Sequence, residues 1–183
     1  MSGIRTTVYN EPEGSLLEVG AHLVNIVSVK VTVSKGEKQS LQIEVKHGCN
    51  DGTIIDWLPL TEKSFFRIQQ LVAATGGRVP EEVPQETWNQ LLSAHNYLER
   101  EEDVERFAQW LSGRDRPYWI NVQSQKQTVG ARAGQDVPRV SVFGKERVRM
   151  ATENEIKSFK PWVPASETEE DNVMDSAAVA PPI

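Results

Sequence analysis

Tryptophan and basic side chains are the residues of this chain whose types and positions suggest a specific chemistry. Trp57, Trp119 and Phe143 carry flat rings that can stack on nucleic-acid bases. In its strand-like segment, Trp119 shares parity with the polar Asn121 and Gln123. Because burial is the usual fate of Trp, an indole on a polar face favours a stacking role. The open alternative is that a helical insertion elsewhere in the chain covers Trp119.

Lysines and arginines supply candidate contacts to phosphates. Single-strand binders combine a groove of such cations with aromatic side chains that stack on bases. Six Lys or Arg residues lie between positions 126 and 149, against two acids, Asp136 and Glu146. The candidate phosphate contacts are Lys30, Lys46, Arg114, Arg116, Lys126, Arg132, Arg139, Lys145, Arg147 and Arg149. Together with the aromatic residues, they predict a surface that binds single-stranded nucleic acid.

The sequence gives little support for catalysis. It contains no Walker-type phosphate loop and no HExxH, CxxC or GxSxG motif. Cys49 lies beside His47 in a segment predicted to be a turn, and His22 and His95 lack ligand spacing. Acids such as Asp56 and Glu62 more often form turns and caps than a nuclease site. We therefore expect no catalytic residues, no bound metal and no cofactor.

Charge divides the chain into a body and a tail. The 183 residues are enough for one domain with a core, and their net charge is -6. Beyond Pro164 there are acids but no Lys or Arg, and without those acids the body carries a charge of about -1. The acids of the tail are Glu167, Glu169, Glu170, Asp171 and Asp175. The overall acidity therefore does not exclude a nucleic-acid partner for the body.

The compartment is predicted from cysteine content and hydropathy. One cysteine permits no intrachain disulfide, which favours a reducing environment. No apolar run approaches the ~18 residues of a membrane helix, and the N-terminus lacks a signal-peptide core. We expect a soluble, cytoplasmic protein with no membrane partner.

The first half of the chain predicts three strands and a helix. The strands are 23–34, 40–48 and 53–60, and a helix follows from an N-cap at Thr61 to Gly76-Gly77. In the first strand, Val24 and Ile26 fall on one face, whereas Val27, Val29, Val31 and Val33 fall on the other. One extra residue near Ile26 and Val27 would put both sets on the core side, so a β-bulge is expected there. A strand buried on both faces at its start is the alternative.

The second half adds a helical insertion and the closing strands. The insertion covers 85–112, a strand begins at Tyr118, a loop covers 126–138, and the last strand covers 139–150. The segment from Phe159 to Trp162 is expected to pack back onto the body. The prediction is an α+β fold, a five-stranded OB-like β-barrel with one helix after strand three. Its domain covers 20–163, between a flexible arm at 1–19 and a disordered acidic tail at 164–183.

Two segments resemble a known family. The segment from Lys30 to Gly76, which contains IIDWLPLTEKSFFRIQQLVAATG, is similar to a family of phage-encoded OB-fold single-stranded-DNA-binding proteins. That family has long been classified as a domain of unknown function. The later segments GRDRPYWINV and RVSVFG look like the closing strands of that family. The resemblance implies DNA replication or recombination, with partner proteins reached through the acidic tail. The insertion is longer than that pattern, and the tail ends in Ala-Pro-Pro-Ile without a terminal Phe.

The expected function is sequence-tolerant binding of single-stranded DNA without catalysis. The alternative is a protein–protein module or a DNA mimic that uses the apolar strand three, the helical insertion and the acidic tail. A small metal nuclease is the third possibility.

Overall fold

A curled antiparallel sheet organises the chain. The computed structural model describes residues 16–33, 41–61, 63–77, 84, 86, 101–128, 130–131, 133–142, 144 and 147–164. Within these residues the sheet has six strands, with the order β3-β2-β1-β4-β5 and with β6 paired to β4. They are β1 (Gly20–Val33), β2 (Leu41–Cys49), β3 (Gly52–Pro59), β4 (Tyr118–Lys126), β5 (Asp136–Val140) and β6 (Val148–Met150). This curled half-barrel with a few helices is compatible with an OB-like α+β fold.

The first strand joins the two halves of the sheet. Its beginning, 20–24, pairs with β4, and its remainder pairs with β2. The register with β2 shifts between Ile26 and Ser28, so Val27 is the extra residue. The predicted bulge is therefore confirmed. It allows Val29 and Val31 to pack against the core and bends the strand, as curling of the sheet requires.

Three helices are described: α1 (Phe65–Gly76), α2 (Glu101–Ser112) and the short α3 (Glu153–Ile156). Thr61 was predicted as the N-cap of α1, and this is wrong. Ser64 holds that position, because the N–H of Ser64 bonds to the Thr61 carbonyl and forms a turn before the helix. At the other end Gly77 adopts φ 67, a left-handed conformation, and closes the helix as predicted.

The core lies between the sheet and the helices. Ile68, Leu71 and Val72 of α1 are buried in the same cluster as Val104 and Phe107 of α2. The second half of the predicted insertion is thus an amphipathic helix, and the residues from 87 to 100 lie outside the described part of the chain.

The folded body begins before residue 20. Leu17 is fully buried, and its backbone N–H bonds to the Thr53 carbonyl at 3.1 Å. At the other end of the body, the Asn50 N–H bonds to the Lys160 carbonyl at 3.0 Å, and Phe159 packs against the core. The predicted return of the segment from Phe159 to Trp162 is confirmed. Residues 1–15 and the tail from 165 onward lie outside the described residues.

The predicted strand 139–150 is wrong, because it is two strands separated by an excursion. The Asn121 carbonyl accepts from the Ser141 N–H, and the Asn121 N–H donates to the Arg147 carbonyl. Ser141 and Arg147 therefore both bond to one residue of β4, and pairing resumes at β6. The loop before β5 is also shorter than predicted. Lys126 pairs with Asp136, which leaves only 127–135 between the strands.

In the described part of the chain, no helix combines the length and the apolar character needed to cross a membrane.

Candidate functional site

Trp57 lies on the outer face of the sheet, and the alternation of β2 and β3 places it there. Asp56 and Leu58 point into the barrel and are buried, so the half-buried Trp57 between them points out. Its register partner is Glu44 of β2, and the indole Nε1–H donates to the Glu44 carboxylate at 3.3 Å. The hydrogen bond holds the edge of the indole at the β2 side of β3.

Arg139 covers the Trp57 ring from the opposite edge of the sheet. Its guanidinium carbon lies 4.9 Å from the centroid of the indole, within the range of a cation–π contact. The Arg139 Nη2 also donates to the Gln127 amide oxygen at 3.2 Å. Because Arg139 belongs to β5 and Trp57 to β3, this contact joins the two edges of the curled sheet.

Two lysines flank the indole on neighbouring strands. Lys30 of β1 is exposed and lies opposite Glu44 in the register. Lys46 of β2 has its Nζ 4.5 Å from the centroid of Trp162, which packs over the outside of the sheet. We use "outer face" for the group Lys30, Glu44, Lys46, Trp57 and Arg139. This group contains three cations, one carboxylate and one indole on the same face of the sheet, a combination suited to a base and its phosphates.

Trp119 lies in a different environment, on β4. Its Nε1–H donates to the Glu155 carboxylate at 2.9 Å, and the guanidinium carbon of Arg149 lies 5.0 Å from its ring. Trp119 points away from the core, as predicted, because its neighbours Tyr118 and Ile120 point inward and are buried. Of the side chains that contact this indole, Arg149 belongs to β6 and Glu155 belongs to α3.

Charges around Trp119 are matched by acids. Arg149 lies 3.9 Å from Glu155, and Arg116 pairs with Glu153 at 3.0 Å. A hydrogen bond from the backbone of Thr152, with smaller contributions from the Trp119 indole and Arg149, lowers the pKa of Glu155. The carboxylate therefore stays ionised at neutral pH and would oppose an approaching phosphate.

The other predicted cations have several positions. Lys126 is exposed at the end of β4. Arg114 donates to the Thr75 hydroxyl at 3.0 Å and covers the Trp110 ring, while Arg116 also donates to the Ala151 carbonyl. These two half-buried arginines join α2 to its neighbours. The remaining candidates Arg132, Phe143 and Lys145 lie outside the described residues.

Arg147 is wrong as a DNA contact because its side chain lies in the core. It is 1% exposed, and its Nη2 forms an ion pair with the buried Asp56. Arg67 donates to the other oxygen of the same carboxylate at 2.7 Å. In an uninterrupted strand over 139–150, Arg147 and Arg149 would share one face. The excursion before β6 breaks that alternation, so only Arg149 points out.

His47 belongs to the same buried cluster, and this was missed because the sequence placed it in a turn. It is fully buried in β2, with its Nδ1 2.5 Å from the Tyr118 hydroxyl oxygen and its Nε2 4.0 Å from Asp56. Its shared parity with Ile43 and Val45 was the signal that could have identified it as a core residue. Burial lowers the pKa of His47 to about 4, against the opposing effect of Asp56.

This lowered pKa predicts a loss of stability in mild acid. The unfolded chain binds a proton at His47 below a pKa of about 6.5, whereas the folded chain does not until about pH 4. Between pH 7 and pH 5 the free energy of unfolding should fall by about 2 kcal/mol from this residue alone. Urea unfolding at the two pH values measures the change. His47→Gln should flatten the dependence, whereas His22→Gln should leave it intact.

A second group of side chains meets where β2 turns into β3. One ligand atom from each of His22, Cys49 and Asp51 lies within 4.8 Å of the other two. The spacing of His22 in the sequence gave no sign of this cluster, because His22 lies far from Cys49 and Asp51 along the chain. The beginning of β1 and the end of β2 are brought to the same end of the sheet, so residues far apart in the chain become neighbours.

Comparison with models of known protein families gives no match for this chain, and comparison with curated protein sequences gives none either.

Proposed function

We propose that this chain is a non-catalytic, largely sequence-independent single-stranded-DNA-binding protein. Its strands would form a five-stranded OB-like barrel in which β5 and β6 are the two halves of an interrupted last strand. DNA would cross the outer face of β1, β2 and β3. The strand 2–3 face and the loops beside it are the surface that OB-folds use for oligonucleotides.

One observation carries the proposal: Trp57 is half-buried on this face, with the guanidinium of Arg139 over its ring. A base would stack on the face of the indole that Arg139 leaves open, or would displace the guanidinium, while the indole edge stays fixed by Glu44. Stacking of this kind tolerates any base, because every base has a π-face. The contact therefore supports binding without sequence readout.

The charges favour the outer face over the surroundings of Trp119. Lys30, Lys46 and Arg139 face one carboxylate, whereas Arg116 and Arg149 are each paired with an acid of α3. A phosphate at Trp119 would have to displace these acids. We therefore place the centre of the interface at Trp57, with Lys126 at its margin.

The alternative of a protein-binding surface on strand three is supported by fewer apolar residues than the sequence offered. Ile54 and Leu58 are buried in the core, so the apolar composition of β3 reflects packing. A role in phage-type replication or recombination, with partner proteins reached through the acidic tail, stays part of the proposal and follows from the resemblance alone.

Salt dependence of binding to oligo-dT tests the proposal. We expect tryptophan fluorescence of the full chain to be quenched on titration at low salt. Log affinity should fall with log salt by about 0.7 for each phosphate contacted. If Lys30, Lys46 and Arg139 each hold one phosphate, the slope should be roughly -2.

Matched variants sharpen this test. Lys30→Gln and Lys46→Gln should each reduce the slope by about 0.7, because each removes one phosphate contact. Lys157→Gln, which changes an exposed lysine of the segment after α3, should leave the slope unchanged. An absence of quenching at micromolar DNA in low salt would overturn the proposal and favour the protein-binding alternative. Loss of DNA that depends on Mg²⁺ would indicate a nuclease.

A further inference from the structure

A cavity of about 240 Å³ opens where the beginning of β1 meets the turn between β2 and β3. Apolar side chains and the Trp119 ring form part of its wall, and three side chains with metal-ligating atoms form another part. Those three are His22, Cys49 and Asp51. A nitrogen, a sulfur and a carboxylate oxygen are the donor types that Zn²⁺ takes in proteins, usually in tetrahedral geometry.

The three donor atoms are close to the separation that such an ion requires. With bonds of about 2.0–2.3 Å, ligand atoms around a tetrahedral Zn²⁺ lie about 3.3–3.8 Å from one another. Here each lies within 4.8 Å of the other two. Small rotations of His22, which is half-buried, and of the exposed Asp51 can close this difference without moving the buried Cys49.

A hydrogen bond fixes the His22 ring and leaves one nitrogen available. Its Nε2 lies 2.7 Å from the Glu18 carbonyl oxygen, which can only accept a hydrogen bond. In the neutral ring this contact requires the proton on Nε2, so Nδ1 keeps its lone pair. Metal-ligating histidines commonly donate their second N–H to a backbone carbonyl in this manner. The contact is therefore compatible with Nδ1 as the atom that binds a cation.

Cys49 is the buried donor of the three, and it lies in the wall of the cavity. The thiolate, not the thiol, is the form that binds a metal, so binding of a cation would release the thiol proton.

We infer that His22, Cys49 and Asp51 form a binding site for one Zn²⁺-type divalent cation, with a fourth position open to the cavity. The sulfur and imidazole donors select against Mg²⁺ and Ca²⁺, which prefer oxygen ligands. The bound ion would fix the beginning of β1 to the turn between β2 and β3. This site is separate from the outer face and does not depend on DNA binding.

Titration of the tag-free, reduced full chain with Co²⁺ tests the inference. Co²⁺ replaces Zn²⁺ in such sites and gives a thiolate-to-cobalt charge-transfer band in the near ultraviolet. We expect one equivalent to bind with this band, and Zn²⁺ to displace it. Zn²⁺ should also raise the midpoint of thermal unfolding, because it binds the folded chain in preference to the unfolded one. A wild-type chain without the band would overturn the inference.

Variants separate a three-ligand site from adventitious binding to the thiol. His22→Gln and Asp51→Asn should each weaken Co²⁺ binding by about tenfold or more, and Cys49→Ser should abolish the band. His22 and Asp51 are not fully buried, so these two variants keep the test valid if Cys49→Ser fails to fold. Asp115→Asn, an exposed control, should bind as the wild type does. A His22→Gln chain with unchanged affinity and band would show that the thiol binds alone, and would overturn the site.

Discussion

Trp57→Ala is expected to weaken binding of oligo-dT by roughly 5- to 150-fold, because stacking on one aromatic ring contributes about 1–3 kcal/mol per base. The fold-loss should be nearly the same at low and high salt, because Trp57 contacts no phosphate and its removal leaves the slope of log affinity against log salt unchanged. Fluorescence anisotropy of a labelled oligonucleotide measures it without relying on the indole that is removed.

Two matched variants locate the effect. Trp57→Phe retains a ring and should recover most of the affinity. Trp119→Ala removes an indole whose neighbouring arginines are paired with Glu153 and Glu155, acids that oppose a phosphate, so it should change affinity much less. The opposite order, with Trp119→Ala causing the larger loss, would move the interface to the surface around β4 and β6. Urea unfolding of each variant separates lost binding from lost folding.

The second large effect is expected at Asp56. Its carboxylate lies between the guanidinium groups of Arg67 and Arg147 and is 6% exposed. Asp56→Asn keeps the shape of the side chain but leaves two buried cations without a counter-charge. Removal of one partner from a buried ion pair costs about 3–5 kcal/mol, because the remaining charge stays desolvated. The free energy of unfolding in urea should fall by that amount.

An exposed ion pair provides the control for Asp56. Glu153 pairs with Arg116 at 3.0 Å, but the carboxylate side chain is 78% exposed. Glu153→Gln should therefore cost at most about 1 kcal/mol, as exposed pairs do. If Asp56→Asn lowers the free energy of unfolding no more than Glu153→Gln does, then water reaches the cluster. The two arginines would in that case not need the Asp56 carboxylate as a counter-charge. Under conditions where the Asp56→Asn chain stays folded, its DNA affinity should match the wild type, because the cluster lies inside the barrel.

Several local features could be predicted because short-range periodicity encodes them. The opposite parity of Ile26 and Val27 predicted the bulge in β1, since a strand can keep both apolar sets inward only with one extra residue. The parity of Trp119 followed in the same way from its neighbours in β4. Gly77 at the end of α1 was predictable because a left-handed residue there has little cost for Gly.

Other features could not be predicted because the alternation breaks where the chain leaves the sheet. Gly144, which has φ 104, was the one residue of 139–150 that could have indicated the excursion opposite Asn121, because an isolated Gly inside a strand pattern often marks a bulge or a turn. That single excursion turned Arg147 from a surface cation into the partner of Asp56.

The sequence by itself determined the order of the first four strands and of the two longer helices, the bulge and the outward position of Trp119. These depend on neighbours two to four residues apart, and the period of a strand or helix records them. Only the tertiary structure decided which charges stay on the surface and which side chains meet. Arg139 over Trp57, Arg147 with Asp56, and His22 beside Cys49 each join residues from distant parts of the chain. Such meetings depend on strand register and on the curl of the sheet, for which no local pattern exists.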